Sequence, residues 1–344
     1  MKFVTYSNWE QLPTSANTLF QQAEKNSVFL SRPWFESLIK FGLDDEHTLL
    51  LACVINGDRV LAILPLMKAN DKAWYSLKHG YTPISSLLLA DDDQESILAC
   101  LGEGLAQSPI TGLLLEPVAG DDELLLGLQK VLEAYGFHCE YRFRDYNWIY
   151  RLNGQSYAEY LASRPGKLRS TISRKGRKLE REHGYEIRLY RDADVAPAMS
   201  DYYKVVDASW KQNELDNAEF MADFVEAFTT AGWSRLAILY VEGEPIAAQL
   251  WFVHHGKASI YRLSYAKEWR SYSPGSILTA YLMEYVIDTD KVEEIDFLTG
   301  NDAYKQDWMS ERRERVVLSC IRQLKPLSWY EKIIKHLKYL QIRQ

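Results

Sequence analysis

Side chains that can transfer protons and hold anions lie close together in the stretch DFLTGNDAYKQDW, residues 296–308. Carboxylates and phenols act as general bases and acids in enzymes, and the stretch supplies Asp296 and Tyr304. Lys305 adds a cation that can hold a phosphate or a carboxylate. Each also fits a structural role: a buried hydrogen bond for Asp296, ring packing for Tyr304 and a solvated amine for Lys305. The spacing predicts one wall of a site for acid–base chemistry and leaves the structural alternative open.

A candidate anion-binding loop precedes this stretch. In YRLSYAKEWRSYSPGSILTAYLMEYVI, residues 261–287, a strand leads through a polar loop into a helix. The first N–H groups of a helix have no intrahelical partners and favour phosphate groups. Gly275 would permit close approach, and Arg270 and Lys267 would add positive charge. A turn before a buried helix is the simpler alternative, and neither GxGxxG nor GxxxxGK[ST] occurs in the chain.

The elements that would position these residues mix hairpins with helical crossovers. Glycine between two short apolar runs marks a tight hairpin turn, and this pattern occurs at Gly57 and at Gly243. A helical stretch with a tryptophan precedes each hairpin, around Trp34 and Trp210. Further strands are predicted at 74–77, 113–116, 137–143, 148–152, 258–265, 294–298 and 316–322, and helices at 94–107, 123–135, 166–184, 275–287 and 328–340. This mixture indicates an α/β (α+β) fold, and the repeated hairpin indicates a weak internal duplication.

The order of strand, anion-binding loop, helix, strand and a helix bearing Ala-Tyr-Lys resembles the acyl-CoA-binding half of the GNAT acetyltransferases. The stretches GEPIAAQLWFVHHGKASIYRLSY, YSPGSIL and DFLTGNDAYKQDWMSERRE are similar to the FemAB-like and CelD-like branch of that superfamily. The match covers roughly residues 160–320. This branch pairs two GNAT-type folds in one chain. The resemblance therefore implies tandem domains of mixed, mostly antiparallel sheet flanked by helices: a first domain at 1–155 without a donor site, and a second, donor-binding domain at 156–344.

The resemblance also implies roles for residues of the second half. In GNAT proteins two neighbouring strands part, here 258–265 and 294–298, and the pantetheine arm of coenzyme A lies along the first. Donor binding is thereby assigned to Leu263, Ser264, Tyr265 and Arg270 and, for the pyrophosphate, to Ser273, Gly275 and Ser276. Tyr304 corresponds to the tyrosine that protonates the departing thiolate, and Asp296 is the candidate base. The usual GNAT loop is richer in Gln, Arg and Gly, which leaves open whether acetyl-CoA or an aminoacyl-tRNA is the donor.

A basic segment and two further positions are candidates for acceptor binding. Residues 164–191 contain ten Lys or Arg and three Glu. Arg174 and Lys178 lie four residues apart, on one face of a predicted helix. Such a face suits a nucleotide diphosphate, an anionic glycan or tRNA, and a solvated charged surface is the alternative. Gln249, on a predicted hairpin strand, and Trp210 complete the predicted acceptor site.

The composition restricts the class of protein. A chain of 344 residues with 47% hydrophobic and 25% charged residues fits a soluble globular protein. No apolar run approaches the roughly 20 residues that span a bilayer, and the N-terminus lacks the pattern of a secretory signal, which favours the cytoplasm. The net charge of −7 is uneven, because residues 1–150 contain 11 basic and 20 acidic side chains. A polyanion is therefore expected to meet the second half.

Cysteine and histidine spacing predicts neither a disulfide framework nor a metal site. The four cysteines are isolated in sequence and are interpreted as buried reduced thiols. His254 and His255 are adjacent and are expected on opposite faces of a strand. No metal is expected.

Three functions follow from these observations. The first is an acyltransferase that moves an acyl group, acetyl in the first instance, from acyl-CoA to an amine or hydroxyl of a small, cell-envelope or polysaccharide-related acceptor. The second is a FemX-like transferase that uses aminoacyl-tRNA. The third is a non-catalytic glycan-binding or scaffold module.

Overall fold

The structure, a computed structural model, describes residues 1–43, 46–68, 73–209 and 218–322. The elements of the first half are β1 (Lys2–Tyr6), α1 (Asn17–Ala23), α2 (Arg32–Ser37), β2 (Thr48–Asn56), β3 (Arg59–Lys68), β4 (Trp74–Ser76), β5 (Leu88–Leu89), α3 (Gln94–Gln107), β6 (Gly112–Ala119), α4 (Glu123–Ala134) and β7 (Phe137–Arg151). Those of the second half are α5 (Tyr157–Ser163), α6 (Gly166–Glu182), β8 (Glu186–Tyr190), α7 (Val195–Asp207), α8 (Ala218–Thr230), β9 (Ser234–Val241), β10 (Glu244–His254), β11 (Lys257–Tyr265), α9 (Pro274–Asp288), β12 (Glu294–Thr299), α10 (Lys305–Trp308) and β13 (Glu311–Arg322).

Within the described residues, thirteen strands form one continuous sheet. Its order is β1-β2-β3-β4-β6-β13-β7-β12-β11-β10-β9-β8, and β5 pairs with β3. Two neighbouring pairs are parallel, β4 with β6 and β11 with β12, and a helix lies between the members of each pair in the chain. The remaining pairs are antiparallel. The mixed α/β fold expected from the sequence is confirmed.

The two predicted hairpins are present in the structure. β2 pairs with β3 and β9 with β10, and the turns contain Gly57 and Gly243 with φ values of 57° and 84°. These left-handed angles are accessible to glycine without steric cost, which explains the glycine in each turn. Local turn chemistry therefore determines both hairpins.

β7 and β13 join the two halves of the chain. The sequence predicted strands at 137–143 and 148–152, but β7 is a single strand because it pairs with β13 along its length, from Phe137 opposite Arg322 to Ile149 opposite Glu311. The end of β7 also pairs with β12, whereas β13 returns to pair with β6. The sheet therefore continues from one half into the other.

One cysteine pair corrects the expectation of four reduced thiols. Cys139 of β7 and Cys320 of β13 lie opposite each other and form a disulfide. They are 181 residues apart in sequence, so only the register of the two strands reveals the pair. Cys53 and Cys100 are free, and burial raises the pKa of Cys53 to about 12.

The largest hydrophobic core contains side chains from both halves. Trp34 of α2 is fully buried, and its ring lies 5.3 Å from that of Phe220 and 5.1 Å from that of Phe224, both on α8. Asp223 of α8 accepts a hydrogen bond from Ser37 at 2.6 Å. A second core packs α5, α6 and α9 against the opposite face of the sheet. In the second half the sheet therefore separates α7 and α8 from α5, α6 and α9.

Two predictions lie outside the described residues: the helix at 328–340 and the position of Trp210. Among the helices that the structure describes, none combines the length and apolar character needed to cross a membrane.

Candidate active site

β11 and β12 run side by side only at their beginnings. Three parallel pairs join them: Lys257 with Glu294, Ala258 with Ile295, and Ser259 with Asp296. Beyond these pairs, β11 continues along β10 and β12 continues along β7. The facing edges of 260–265 and 297–299 are therefore separated by a slot. The ladder between the two strands ends at Ser259 on β11 and at Asp296 on β12.

Backbone irregularities on both strands accompany this slot. The β10 residues Leu250 and Trp251 have β11 partners that are two residues apart, so Tyr261 forms a β-bulge. A bulge bends its strand and increases its twist. On β12, Leu298 has a φ of 53°, and the pairing with β7 shifts beyond Asp296. The two strands therefore diverge through local distortions that neighbouring strands support.

α9 begins beside the end of β11. Ser273 has a left-handed φ of 54°, Pro274 occupies the first helical position, and the Ser273 side chain makes no capping hydrogen bond. The N–H of Ser276 donates to the Ser273 carbonyl at 3.0 Å. Gly275 is buried, and a Cβ there would lie 3.3 Å from the Tyr265 ring. Glycine thus lets this turn pack closely on the strand, and a bound anion would meet backbone groups rather than a capping side chain.

Three β11 residues assigned to donor binding lie next to this turn. Leu263 and Tyr265 are the side chains closest to the position that a Cβ of Gly275 would take. Ser264 lies between them and is 1% exposed, so its side chain points to the opposite face of the strand. Arg270 is exposed on the short 3-10 helix Lys267–Tyr272 that leads into α9.

Gln249 holds the start of α9 from within the core. It is fully buried; its Nε2 donates to the Gly275 carbonyl at 2.9 Å and to Thr279 Oγ1 at 2.8 Å. Its Oε1 accepts from Trp251 Nε1 at 2.9 Å. The structure places Gln249 inside the domain and away from the cleft that the sequence analysis expected, because its amide satisfies buried polar groups of β10 and α9.

The basic helix α6 lies beside the same loop. Lys175 donates to the Ser271 carbonyl, and Lys178 Nζ is 4.6 Å from the centre of the Tyr272 ring. Lys178 also pairs with Glu182 at 3.7 Å, whereas Arg174 is exposed. The basic face assigned to the acceptor therefore borders the loop assigned to the donor.

A cavity of about 510 Å³ lies between the two halves. It is lined by the end of α1, the segment before α3, the turn between β6 and α4, and the second-half residues Lys257, Asp296, Leu298, Arg313 and Arg315. Ile295 and Phe297 belong to the core that contains α9. Because side chains alternate along a strand, Asp296 points away from α9 and into the cavity.

Asp296 is positioned by three groups around its carboxylate. The side chain is buried, and its Oδ1 accepts hydrogen bonds from Asn147 Nδ2 at 2.6 Å and from the Leu298 N–H at 2.7 Å. Its Oδ2 lies 3.8 Å from Arg313 Nη2. Oδ1 is therefore committed to the protein, while Oδ2 has no contact as short among the described residues and is the atom suited to meet a ligand.

The sequence motifs do not indicate two arginines of this cavity, Arg313 and Arg315, or the buried Asn147 that binds Asp296. Arg315 donates to Asn147 Oδ1, and Arg313 donates to Glu294 at 2.7 Å. Burial lowers the pKa of Arg315, although Asp296 acts in the opposite direction. Arg313 and Arg315 are two residues apart in the charged start of β13, a spacing that puts both side chains on one face of a strand. That spacing is the signal that could have identified them.

Tyr304 lies on the opposite side of β12 from Asp296. It is 42% exposed, and its ring centre is 6.2 Å from that of Phe297. Partial burial raises its pKa, and the nearby Asp302 carboxylate raises it further. The phenol therefore stays protonated at neutral pH and can act as a proton donor.

Lys305 is buried at 4% exposure and donates to the backbone of β12. Its Nζ lies 3.0 Å from the Phe297 carbonyl, 3.4 Å from the Leu298 carbonyl and 2.7 Å from the Thr299 carbonyl. These contacts hold the distorted end of β12, where Leu298 has its left-handed φ.

The corresponding helix of the first half begins differently. β4 and β6 are parallel and paired at two positions, with α3 between them in the chain. The Asp93 carboxylate caps α3 by accepting from the Ser96 N–H at 3.2 Å, and hydrogen bonding to Ser96 lowers the pKa of Asp93. A carboxylate of the chain itself therefore caps the start of α3, whereas the corresponding start of α9 has no side-chain cap.

Comparison with known proteins relates this geometry to acetyltransferases. Residues 166–306 match the family model described as an acetyltransferase (GNAT) domain. No curated protein matches the sequence.

Solved structures share the fold over nearly the whole chain at low sequence identity. FemX is 11% identical with a TM-score of 0.63, covering 93% of this chain and 97% of FemX. L-PGS from Bacillus licheniformis is 12% identical with a TM-score of 0.56, covering 89% of this chain and 96% of that protein. A tandem GNAT protein from the clavulanic acid biosynthesis pathway is 12% identical with a TM-score of 0.50, covering 92% and 97%. The chain therefore has a mixed α/β fold like that of tandem GNAT proteins, and its residues 166–306 resemble a GNAT-type acetyltransferase domain.

Proposed function

We propose that the protein is an acyltransferase that moves an acyl group, acetyl in the first instance, from acyl-CoA to an amine or hydroxyl. The observation that carries this proposal is the short ladder of three pairs between β11 and β12, beyond which the strands leave a slot. The uncapped start of α9 lies on one side of this slot, and the cavity that contains Asp296 lies on the other. A donor in the slot would have its carrier on the α9 side and its acyl group near the cavity.

The carrier side supplies hydrogen bonds and positive charge. The pantetheine amides would bind the backbone edge of β11 at Leu263–Tyr265, which β12 leaves uncovered. The pyrophosphate would lie at Ser273–Ser276, where the helix dipole favours a negative charge. Arg270 and the basic face of α6 add positive charge around this loop.

The transfer step needs one proton acceptor and one proton donor. The acceptor amine or hydroxyl would attack the thioester carbonyl from the cavity and give its proton to Asp296 Oδ2. As the C–S bond breaks, the thiolate would take the phenolic proton of Tyr304 from the other side of β12. Each such proton transfer is typically worth about 10² to 10⁴ in rate. Lys305 would contribute by holding the end of β12, which separates Asp296 from Tyr304.

The cavity suits a small polar acceptor. Its volume of about 510 Å³ accommodates a metabolite or a sugar-sized unit. Arg313 and Arg315 could hold a phosphate or carboxylate, and Asp121 and Asp122 could hold hydroxyls or an amine. A precursor of a cell-envelope or polysaccharide component would carry both kinds of group: a phosphate or carboxylate, and hydroxyls or an amine.

Titration with acetyl-CoA by calorimetry tests the donor assignment. We expect binding to the wild type and about tenfold weaker binding to Arg270→Glu, because the substitution places a negative charge beside the pyrophosphate. Arg169→Glu makes the same charge change at an exposed position of α6 and serves as the matched control, with affinity within about twofold of wild type. Absence of binding to wild type, or equal affinities for the two variants, would contradict the assignment.

A second donor, aminoacyl-tRNA, is favoured by one observation. The basic face of α6 borders the donor loop, so a polyanion larger than coenzyme A could bind there. Binding of tRNA that weakens steeply with salt, together with no response to acetyl-CoA, would replace the first donor with the second. Acetyl-CoA binding without tRNA binding would support the first.

A further inference from the structure

Two imidazoles and a carboxylate converge where the two halves meet. His254 is the last residue of β10, His255 follows it in the turn to β11, and Glu24 follows α1. One ligand atom from each residue lies within 4.8 Å of the other two. The distance between His254 Nε2 and Glu24 Oε1 is 3.4 Å. The cluster lies outside the slot and the residues assigned to acyl transfer.

The turn brings the two imidazoles together. Alternation along a strand predicts that His254 and His255 lie on opposite faces, but β10 ends at His254, and His255 has a left-handed φ of 43°. Gly256 follows with a φ of 69°. The ring centres of the two histidines are consequently 4.1 Å apart. The expectation fails because alternation holds only within the strand.

The geometry around His254 leaves one nitrogen for a ligand. His254 Nε2 is buried and has no hydrogen-bond partner among the described residues. The Trp233 ring packs against the imidazole, with the ring centres 4.0 Å apart and a tilt of 35° between the planes. Buried polar atoms normally have a partner, so an unpartnered nitrogen facing a carboxylate indicates a missing ligand.

We propose that Glu24, His254 and His255 form a binding site for a zinc-type divalent cation. Two imidazole nitrogens and one carboxylate oxygen are a donor set that zinc prefers, whereas magnesium and calcium prefer oxygen ligands alone. Ligand atoms about 2.0–2.1 Å from a tetrahedral zinc ion lie roughly 3.3 Å apart. The separation of 3.4 Å between His254 Nε2 and Glu24 Oε1 fits this geometry, and rotation of the exposed His255 side chain would complete it. Water would occupy the fourth position.

The cation would connect the two halves at the rim of the cavity. Ala23 and Asn26, on either side of Glu24, line the cavity, as does Lys257, two residues beyond His255. Lys257 Nζ already donates to the Asn26 carbonyl at 2.6 Å. A bound cation therefore adds a second cross-link between the end of α1 and the β10–β11 turn.

Zinc titration of the chelator-treated full chain tests this proposal. We expect one zinc ion per chain by calorimetry, a higher melting temperature with zinc, and visible absorption bands of a tetrahedral site when cobalt replaces zinc. Glu24→Gln, which keeps the shape of the side chain, and His255→Ala should each weaken zinc binding by about tenfold or more. His138→Ala removes another exposed imidazole, on β7, and should bind zinc as the wild type does.

Three outcomes would overturn the site. They are no zinc binding by the wild type at micromolar concentrations, equal zinc affinities in wild type and both ligand variants, and a cobalt spectrum with thiolate charge-transfer bands, which would place the metal on cysteine. Circular dichroism of the apo variants establishes that lost binding is not lost folding. Failure of acetyl-CoA to bind would leave this site unaffected, so the two proposals are tested separately.

Discussion

Replacement of Lys305 by methionine tests whether the Lys305 amine supports the fold or takes part in the reaction. The ammonium group donates to the carbonyls of Phe297, Leu298 and Thr299, at the end of β12 that borders the slot. Methionine has a similar length but neither charge nor donors. We expect Lys305→Met to destabilise the fold and to weaken acetyl-CoA binding, because the carbonyls lose their donor and the left-handed Leu298 loses support.

The size of the effect follows from these contacts. Hydrogen bonds from a charged donor contribute about 1.5–3 kcal/mol each, and the two shorter ones measure 2.7 Å and 3.0 Å. Their combined contribution of about 3–6 kcal/mol is partly offset by the cost of keeping an ammonium group buried. A net loss of about 2–3 kcal/mol is therefore expected, equivalent to a fall in melting temperature of about 4–6 °C at roughly 2 °C per kcal/mol.

Thermal melting and acetyl-CoA titration together check the prediction. Lys130→Met, the same substitution at an exposed position of α4, is the matched control and should melt within about 1 °C of wild type. A Lys305→Met protein that melts with the wild type and binds acetyl-CoA equally, yet has lost turnover, would refute the structural reasoning and favour a direct role of the amine in the reaction.

The remaining predictions concern the proton-transfer residues and use thiol release from acetyl-CoA with a panel of amines and hydroxyls as acceptors. Asp296→Asn keeps an oxygen for its Asn147 and Leu298 bonds but removes the base, so turnover should fall by about 10² to 10⁴ with donor affinity retained; unchanged turnover would exclude Asp296. Tyr304→Phe should likewise retain donor affinity and lose turnover. Because the raised pKa of Tyr304 keeps its phenol protonated, the wild-type pH–rate profile should show no alkaline loss due to this residue below about pH 10, and such a loss that disappears in Tyr304→Phe would contradict the assignment.

Local chemistry in the sequence was sufficient to predict the hairpins and most helices. Glycine at positions 57 and 243 reports the left-handed turn that each hairpin needs, and α3 has the predicted bounds of 94–107. Of the stretch at 296–308, Asp296 lines the cavity and the Tyr304 ring lies near that of Phe297. These features depend on neighbours a few residues away, so the sequence specifies them directly.

Tertiary structure decided what the side chains contact. Gln249 and Lys305 have the residue types of a polar site, but the packing of β10, α9 and β12 places both within the protein as internal donors. The register of β13 against β7 brings Cys139 opposite Cys320. These contacts depend on strand register and helix packing, which bring together residues from different segments of the chain.

The same distinction applies to the slot and the cluster of histidines. The sequence alone predicted that a strand, a polar loop, a helix and an Asp–Tyr–Lys stretch follow one another. Only the structure showed that three pairs join β11 to β12 and that a left-handed turn brings His255 beside His254 and Glu24. The separation of β11 from β12 depends on bulges in the strands, and the cluster of two histidines and Glu24 depends on contacts between the two halves. No single segment of the sequence specifies either feature.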